Sequence, residues 1–353
     1  MSPKGMSGKV QTVLGPTEPD RLGITLTHEH LLIDLRCYFL MPEEASKRYY
    51  VDKPLTMDML GVAWRGFFSM KDQEVLLDEK AATEEVLKYR HAGGQSLVDT
   101  TSIGIARDPL ALARISRAAG LNIIMGGSHY VPVAHPKDMD KRSEEEIATQ
   151  IINDVTVGVG DTGVKTGVIG EIGNFYPLSE NEKKVLRASA YAQKRTGAPI
   201  LVHPGIHPKA ILEIMDILTK AGADPRHVIM GHLDPIRPMS AIKELAQSGC
   251  FVEYDRFGSE DSSFDYDIGE ARSDPVNDVQ RMESLEYLIS EGLGDRIVIA
   301  HDVCTKADTT RHGGKGYAHI LENIVPRMRK RGFTQKQLDA ILIHNPAKAL
   351  AFA

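Results

Sequence analysis

Eight times along this chain a short apolar run gives way to a segment of helical period. The runs are GITLTHEH (23–30), QSLVDTT (95–101), LNIIMGG (121–127), TGVIGEIG (166–173), APILVHPG (198–205), HVIMGHLDP (227–235), CFVEYD (250–255) and RIVIAHD (296–302). Apolar side chains recur at helical spacing over 80–92, 108–119, 143–155, 179–195, 208–221, 240–248, 277–292 and 317–331. Runs without strict apolar–polar alternation suit parallel strands covered on both faces. Eight such βα units that close on themselves make an α/β chain of the (β/α)8 barrel type, with a doubly wound open sheet as the competitor. At 353 residues the chain is long enough for one such barrel, which needs about 250. One domain is therefore expected over 1–353. Residues 36–79, which carry the only tryptophan, Trp64, are read as an insertion after the first strand, a lid or a flank of the mouth.

Bulk properties exclude several classes. A net charge of −6 argues against nucleic acid or an anionic membrane surface as partner. No stretch approaches the roughly 20 consecutive apolar residues of a membrane span, and MSPKGMSGKVQTVLG has no signal-peptide core. Cys37, Cys250 and Cys304, odd in number and far apart, suit reduced thiols and a cytoplasmic protein. GVGDTG (158–163) matches a dinucleotide-binding pattern but follows a helix and leads into a strand, the reverse of what that motif requires.

Barrel chemistry sits at the C-terminal ends of the strands. Strand 1 ends in His28 and His30, strand 4 in Glu171, strand 5 in His203, strand 6 in His232 and strand 8 in Asp302. Residues two apart on a strand share a face, so His28 and His30 project together and Glu29 takes the other side. Singly, each has an ordinary reading, Glu171 and Asp302 as helix caps and His203 and His232 as satisfied core histidines. Together they point to metal. Imidazole with carboxylate suits zinc, and also manganese, cobalt, nickel or iron. Six donors exceed the needs of one tetrahedral ion, so a pair is expected: His28, His30 and Asp302 on one, His203 and His232 on the other, Glu171 bridging. Two divalent cations sharing a water bring its pKa toward neutrality, the basis of a metal-assisted hydrolase. Asp99, Glu253 and Asp255 have no imidazole neighbour in their own strands and are read as buttressing or capping groups. His301 points away from Asp302 and is read as structural, Cys304 as a bystander thiol.

TLTHEHLL, GVIGEIG, LVHPG, MGHLDP, IAHD and NPAKAL, in this order from about Gly8 to the C-terminus, resemble the phosphotriesterase family of the amidohydrolase superfamily. SGKVQTVLG, EYDRFG and GYAHILENIVPRM resemble its phosphotriesterase-related branch in animals. The resemblance implies a (β/α)8 TIM barrel with a binuclear centre on the six residues above, most often zinc, with manganese or cobalt as alternatives. It also implies homodimers, as among relatives. One departure stands out: many relatives bridge the metals with a carboxylated lysine, where this chain has Glu171. Lys165, near the other end of the strand, is no substitute. The branch implies hydrolysis of N-acetyltaurine to taurine and acetate, and of other N-acetyl amino acids, so the expected partner is a small anionic amide. Arg107, His129, His207, Arg237, Arg256, Lys306 and Arg311 lie in mouth loops as receptors for the anion. Lys306 is the first choice, with Tyr130 as a wall or hydrogen-bond donor. Asp302 is the expected catalytic residue, taking the proton of the attacking water and passing it to the leaving amine. The alternatives are a lactonase or organophosphate hydrolase, with an apolar mouth drawn from Ile105, Phe175 and Phe257, and a binding protein without turnover.

Overall fold

The computed structural model describes residues 5–66, 68–260 and 276–353. Most of the acidic stretch SEDSSFDYD (259–267) lies outside the described residues. The eight runs form one parallel sheet in chain order: β1 (Thr25–Glu29), β2 (Ser96–Asp99), β3 (Asn122–Gly127), β4 (Val168–Gly173), β5 (Ile200–His203), β6 (Val228–Met230), β7 (Phe251–Tyr254) and β8 (Ile297–Ile299). Past the end of β8 the Asp302 amide donates to the His28 carbonyl at 3.2 Å, closing the sheet into a barrel. The intervening helices are α1 (Glu79–His91), α2 (Pro109–Ala119), α3 (Glu144–Thr156), α4 (Glu180–Thr196), α5 (Pro208–Lys220), α6 (Met239–Gln247), α7 (Asp278–Ser290) and α8 (Val325–Lys330). Their starts follow local chemistry. Ser143, Ser179 and Asn277 close capping boxes with Glu146, Glu182 and Gln280. The last helical segment is not the uniform α-helix its period predicts, because a π-type turn at Ile320–Ile324 precedes α8. Among the described residues no helix is long and apolar enough to cross a membrane.

Strand alternation divides the apolar side chains into two layers. Val98, Ile124, Val168, Leu201, Ile229, Phe251 and Val298, one from each of β2 to β8, fill the barrel axis together with Val10, Leu22 and Leu350. Leu26, Leu97, Ile123, Ile169, Ile200, Val252 and Ile297 face the helices. Val10–Thr12 pairs antiparallel with Gly15–Thr17, and this hairpin covers the N-terminal end: Gly167, just before β4, lies so close to the Gln11 carbonyl that a Cβ would stand 2.1 Å from it. With that end filled, the polar strand ends are left at the other.

Residues 36–79 do not fold apart from the barrel. Ile33–Asp34 pairs with Val75–Leu76, and the segment between them returns over the mouth. There Tyr38 stacks on Phe68 at 4.7 Å and meets the edge of Tyr130 at 5.9 Å. Ile33, Ile105, Val131 and Cys304 complete this apolar cluster, with Phe175 against it.

Candidate metal centre

β1, irregular in register between Leu26 and Glu29, carries His28 inward and His30 follows just past its end, both buried, with ring centroids 5.8 Å apart. Glu171 rises between them from β4, its Oε2 3.3 Å from His28 Nε2 and its Oε1 3.3 Å from His30 Nε2. On its other flank Glu171 Oε2 lies 3.1 Å from His203 Nδ1 and 3.7 Å from His232 Nε2, and these two imidazole nitrogens are 2.8 Å apart. Asp302 Oδ1 is 3.4 Å from His30 Nε2. The structure thus brings all six residues into one cage. Its donor atoms fall into the groups His28, His30, Asp302 and Glu171, His203, His232, with a third group of His28, His232 and Asp255, each within 4.8 Å. His232 and Asp302 hold left-handed backbones, φ 52° and 51°, an uncommon conformation that clusters at functional sites.

A divalent cation fits this donor set. His28 Nε2 and Glu171 Oε1 are buried in the cage and make no hydrogen bond among the described residues, a costly state for polar atoms unless something else satisfies them. Charge points the same way. Burial opposes ionisation of Glu171, yet His28, His203 and His232 hold its carboxyl well below the usual range. Burial likewise opposes protonation of the imidazoles. Nevertheless Asp302 and Glu171 lift His30 to about 9, and Asp255 and Glu171 lift His232 to about 10. The carboxylates therefore call for positive charge, which protons supply in the protein alone and which a metal would supply by displacing them.

Each of three histidines is aimed by a partner on its far nitrogen. His28 Nδ1 meets Glu253 Oε2 at 2.9 Å, His30 Nδ1 meets Thr101 Oγ1 at 2.9 Å, and His232 Nδ1 meets Asp255 Oδ1 at 2.9 Å. Such bonds leave Nε2 facing the cage. Glu253 and Asp255, read as buttressing groups with no imidazole neighbour in their own strand, thus buttress histidines brought from elsewhere in the barrel, from β1 and from just past the end of β6. Asp255 Oδ2 also accepts the backbone N–H of His232 at 2.7 Å. Behind them Asp234, which sequence reasoning missed, accepts the backbone N–H groups of Asp255 and Arg256 at 3.2 and 3.3 Å and Arg281 Nε at 2.5 Å. Its only signal was a carboxylate two residues after His232 in MGHLDP. Asp99 is a cap, accepting the N–H groups of Leu31 and Thr101.

The expected substrate contacts separate. Arg256 Nη1 donates to Asp302 Oδ2 at 2.6 Å, at the rim of the cage. Tyr130 places its hydroxyl 3.4 Å from His203 Nδ1. Lys306 turns elsewhere, to Asp72 of the 36–79 segment at 2.7 Å, and lines a cavity of about 380 Å³ to which none of the six cage residues contributes. Arg107 is paired with Asp154, Arg237 donates to the Asp234 and Ile236 carbonyls, and His207 caps α5. Of the proposed apolar mouth, Ile105 and Phe175 belong to the cluster beside Tyr130, whereas Phe257 is fully buried under Arg281.

Comparison with known proteins agrees with the fold. Residues 8–350 match the phosphotriesterase family. The N-acetyltaurine hydrolases of Salmo salar and Homo sapiens are 42% and 41% identical over 349 residues, covering 98% of this chain and 99% of theirs. A resiniferatoxin-binding protein from Rhodobacter sphaeroides superposes with a TM-score of 0.94 at 33% identity, covering 99% of this chain and 97% of that one. This chain belongs to the phosphotriesterase family of metal-dependent hydrolases.

Proposed function

We propose that this chain is an amidohydrolase for small N-acylated anionic amines, with N-acetyltaurine, cleaved to taurine and acetate, as first substrate and N-acetyl amino acids as further ones. The observation that carries the reading is the buried cage around the unbonded His28 Nε2; the substrate is suggested by the full-length relatives. His28, His30 and Asp302 would hold one divalent ion, His203 and His232 a second, and Glu171 both, with Zn2+ ahead of Mn2+ or Co2+. When bound, such ions supply Lewis acidity and an acidified water. The chain's own residues do the rest. Asp302, kept anionic by Arg256 despite its burial, is the proton acceptor and passes that proton to the departing amine, a poor leaving group without it. Arg256 sets its guanidinium beside Asp302, with Nη1 on Oδ2, and a cation at that place suits the sulfonate or carboxylate of the substrate. Tyr130 hydrogen-bonds beside His203 and, with Tyr38, Phe68 and Phe175, walls the acyl side.

That apolar wall favours one second reading, a lactonase or organophosphate hydrolase on the same cage. We also read 1–353 as one domain in which residues 36–79 complete the mouth. The free Cys37, Cys250 and Cys304 support a cytoplasmic setting.

The test is turnover of N-acetyltaurine, N-acetyl amino acids, lactones and phosphotriesters by metal-loaded protein beside a His28→Ala, His30→Ala control. Preferred cleavage of N-acetyltaurine with a dead control is expected. Turnover of lactones or phosphotriesters alone would transfer the site to the second reading.

A further inference from the structure

Glu29, between the two cage histidines, faces away from the cage and is wholly buried. Its carboxylate accepts three hydrogen bonds, all from the end of strand β8. Oε1 takes the backbone N–H of His301 at 2.9 Å and His301 Nδ1 at 2.7 Å; Oε2 takes the backbone N–H of Val303 at 3.0 Å. The two backbone donors flank Asp302, the residue with φ 51°. Amide groups on either side of a left-handed residue converge on one side of the chain and form a concave anion site. His301 is fixed in turn, since its Nε2 accepts the Ile320 N–H at 2.9 Å where the segment leading into α8 begins. This requires Nδ1 to carry the proton that Glu29 receives.

We propose that Glu29 is the positioning residue for Asp302: its carboxylate, seated in the amides of His301 and Val303, holds the left-handed backbone that turns Asp302 toward His30 and Arg256. The inference rests on the reading of Asp302 as a working residue of the cage. A strand built as His-Glu-His then serves the site from both faces, the imidazoles directly and the carboxylate through the neighbouring strand end.

The test compares Glu29→Gln with Ile214→Ala, a core deletion on α5 away from the cage, in two assays. One is Co2+ titration of metal-stripped protein, followed by its visible spectrum; the other is steady-state turnover of N-acetyltaurine. In Glu29→Gln an amide N–H2 faces a backbone N–H. The expected result is a 10- to 100-fold loss of both Co2+ affinity and kcat, the range for partners that orient ligands, with KM within about threefold. Ile214→Ala should lose thermal stability and keep both. Co2+ affinity and kcat within twofold of wild type in Glu29→Gln, or losses that Ile214→Ala reproduces at equal loss of Tm, would overturn the proposal. If Glu29→Gln does not fold, His301→Gln, which removes the imidazole's bonds to Glu29 and from the Ile320 N–H and leaves the two backbone donors of Glu29 in place, must still weaken Co2+ binding at least threefold; unchanged binding overturns the proposal. Asp302→Asn separates the two levels. A dead Asp302→Asn beside a normal Glu29→Gln removes the positioning role alone, while an active Asp302→Asn removes the reading on which it rests.

Discussion

Asp255 and Glu253 both back cage histidines, yet their amide variants should behave differently, and the hydrogen bonds say by how much. Asp255 uses both oxygens on His232, Oδ1 meeting Nδ1 at 2.9 Å and Oδ2 accepting the backbone N–H at 2.7 Å, and Oδ2 also lies 3.4 Å from His28 Nδ1. Asparagine offers only one acceptor, so either orientation sets an N–H2 against a buried donor. Losing a bond to a charged group costs about 1.5–3 kcal/mol. Independently, removing a partner that orients a metal-ligating histidine costs 10- to 100-fold in affinity, about 1.4–2.7 kcal/mol. The two routes agree. Glu253 uses only Oε2, on His28 Nδ1, while Oε1 is buried without a hydrogen bond. Glutamine can keep the carbonyl on His28 and place its amide where Oε1 stood, so a loss of no more than about threefold is expected. Competition for Zn2+ against a chromophoric chelator measures both variants, with kcat as the second readout. Equal losses in Asp255→Asn and Glu253→Gln, or an Asp255→Asn that binds Zn2+ within threefold of wild type, would refute this account of the cage.

Chelation should abolish turnover and added Zn2+ or Co2+ should restore it; activity that survives metal stripping, checked by elemental analysis, removes the metal reading. Arg256→Met should raise KM for N-acetyltaurine more than about tenfold, the effect of losing a charge-assisted bond, and Lys306→Met, whose ammonium is taken by Asp72, should leave it within about twofold. Steady-state kinetics on the two variants decides between the cations. Asp302→Asn should lose kcat by at least about 100-fold while KM changes little, as expected of a general acid–base; near-wild-type turnover would remove that role. Glu74 is buried with neither oxygen hydrogen-bonded, and burial, with Asp34 nearby, pushes its carboxyl up to about 8. The folded state then binds this proton more tightly than the unfolded chain, so its contribution is complete below about pH 4.5 and is lost as pH rises through about 8. Wild type should be about 3–5 kcal/mol less stable at pH 9 than at pH 4.5 from this group. Glu74→Gln should flatten that slope in thermal melts, and an unchanged slope in the variant would assign it elsewhere.

What the sequence disclosed and what it hid follow from the range of the interactions concerned. A parallel strand places its last residues at one end of the barrel, so His28, His30, Glu171, His203, His232 and Asp302 could be grouped from their position in each run alone. The partners of those residues are another matter. Glu253 stands 225 positions from His28, and Lys306 is turned aside by Asp72, 234 positions earlier. No local pattern reports such pairings, because they depend on which strands become neighbours when the barrel closes and on where residues 36–79 come to rest. Long cations are the least legible, since a flexible stem reaches whichever carboxylate folding brings near. Arg256 was no more prominent than Lys306 in the sequence, and only the structure brings its guanidinium to Asp302. Glu29 lies between these cases. Strand alternation correctly sent it away from the cage, but its purpose could be read only after β8 had come to lie beside β1. A carboxylate that interrupts an apolar strand is held by three donors from the strand end that carries Asp302. The outward-facing residue of the His-Glu-His strand is thus tied to the backbone on either side of Asp302, where the inward-facing pair meets the cage through its side chains.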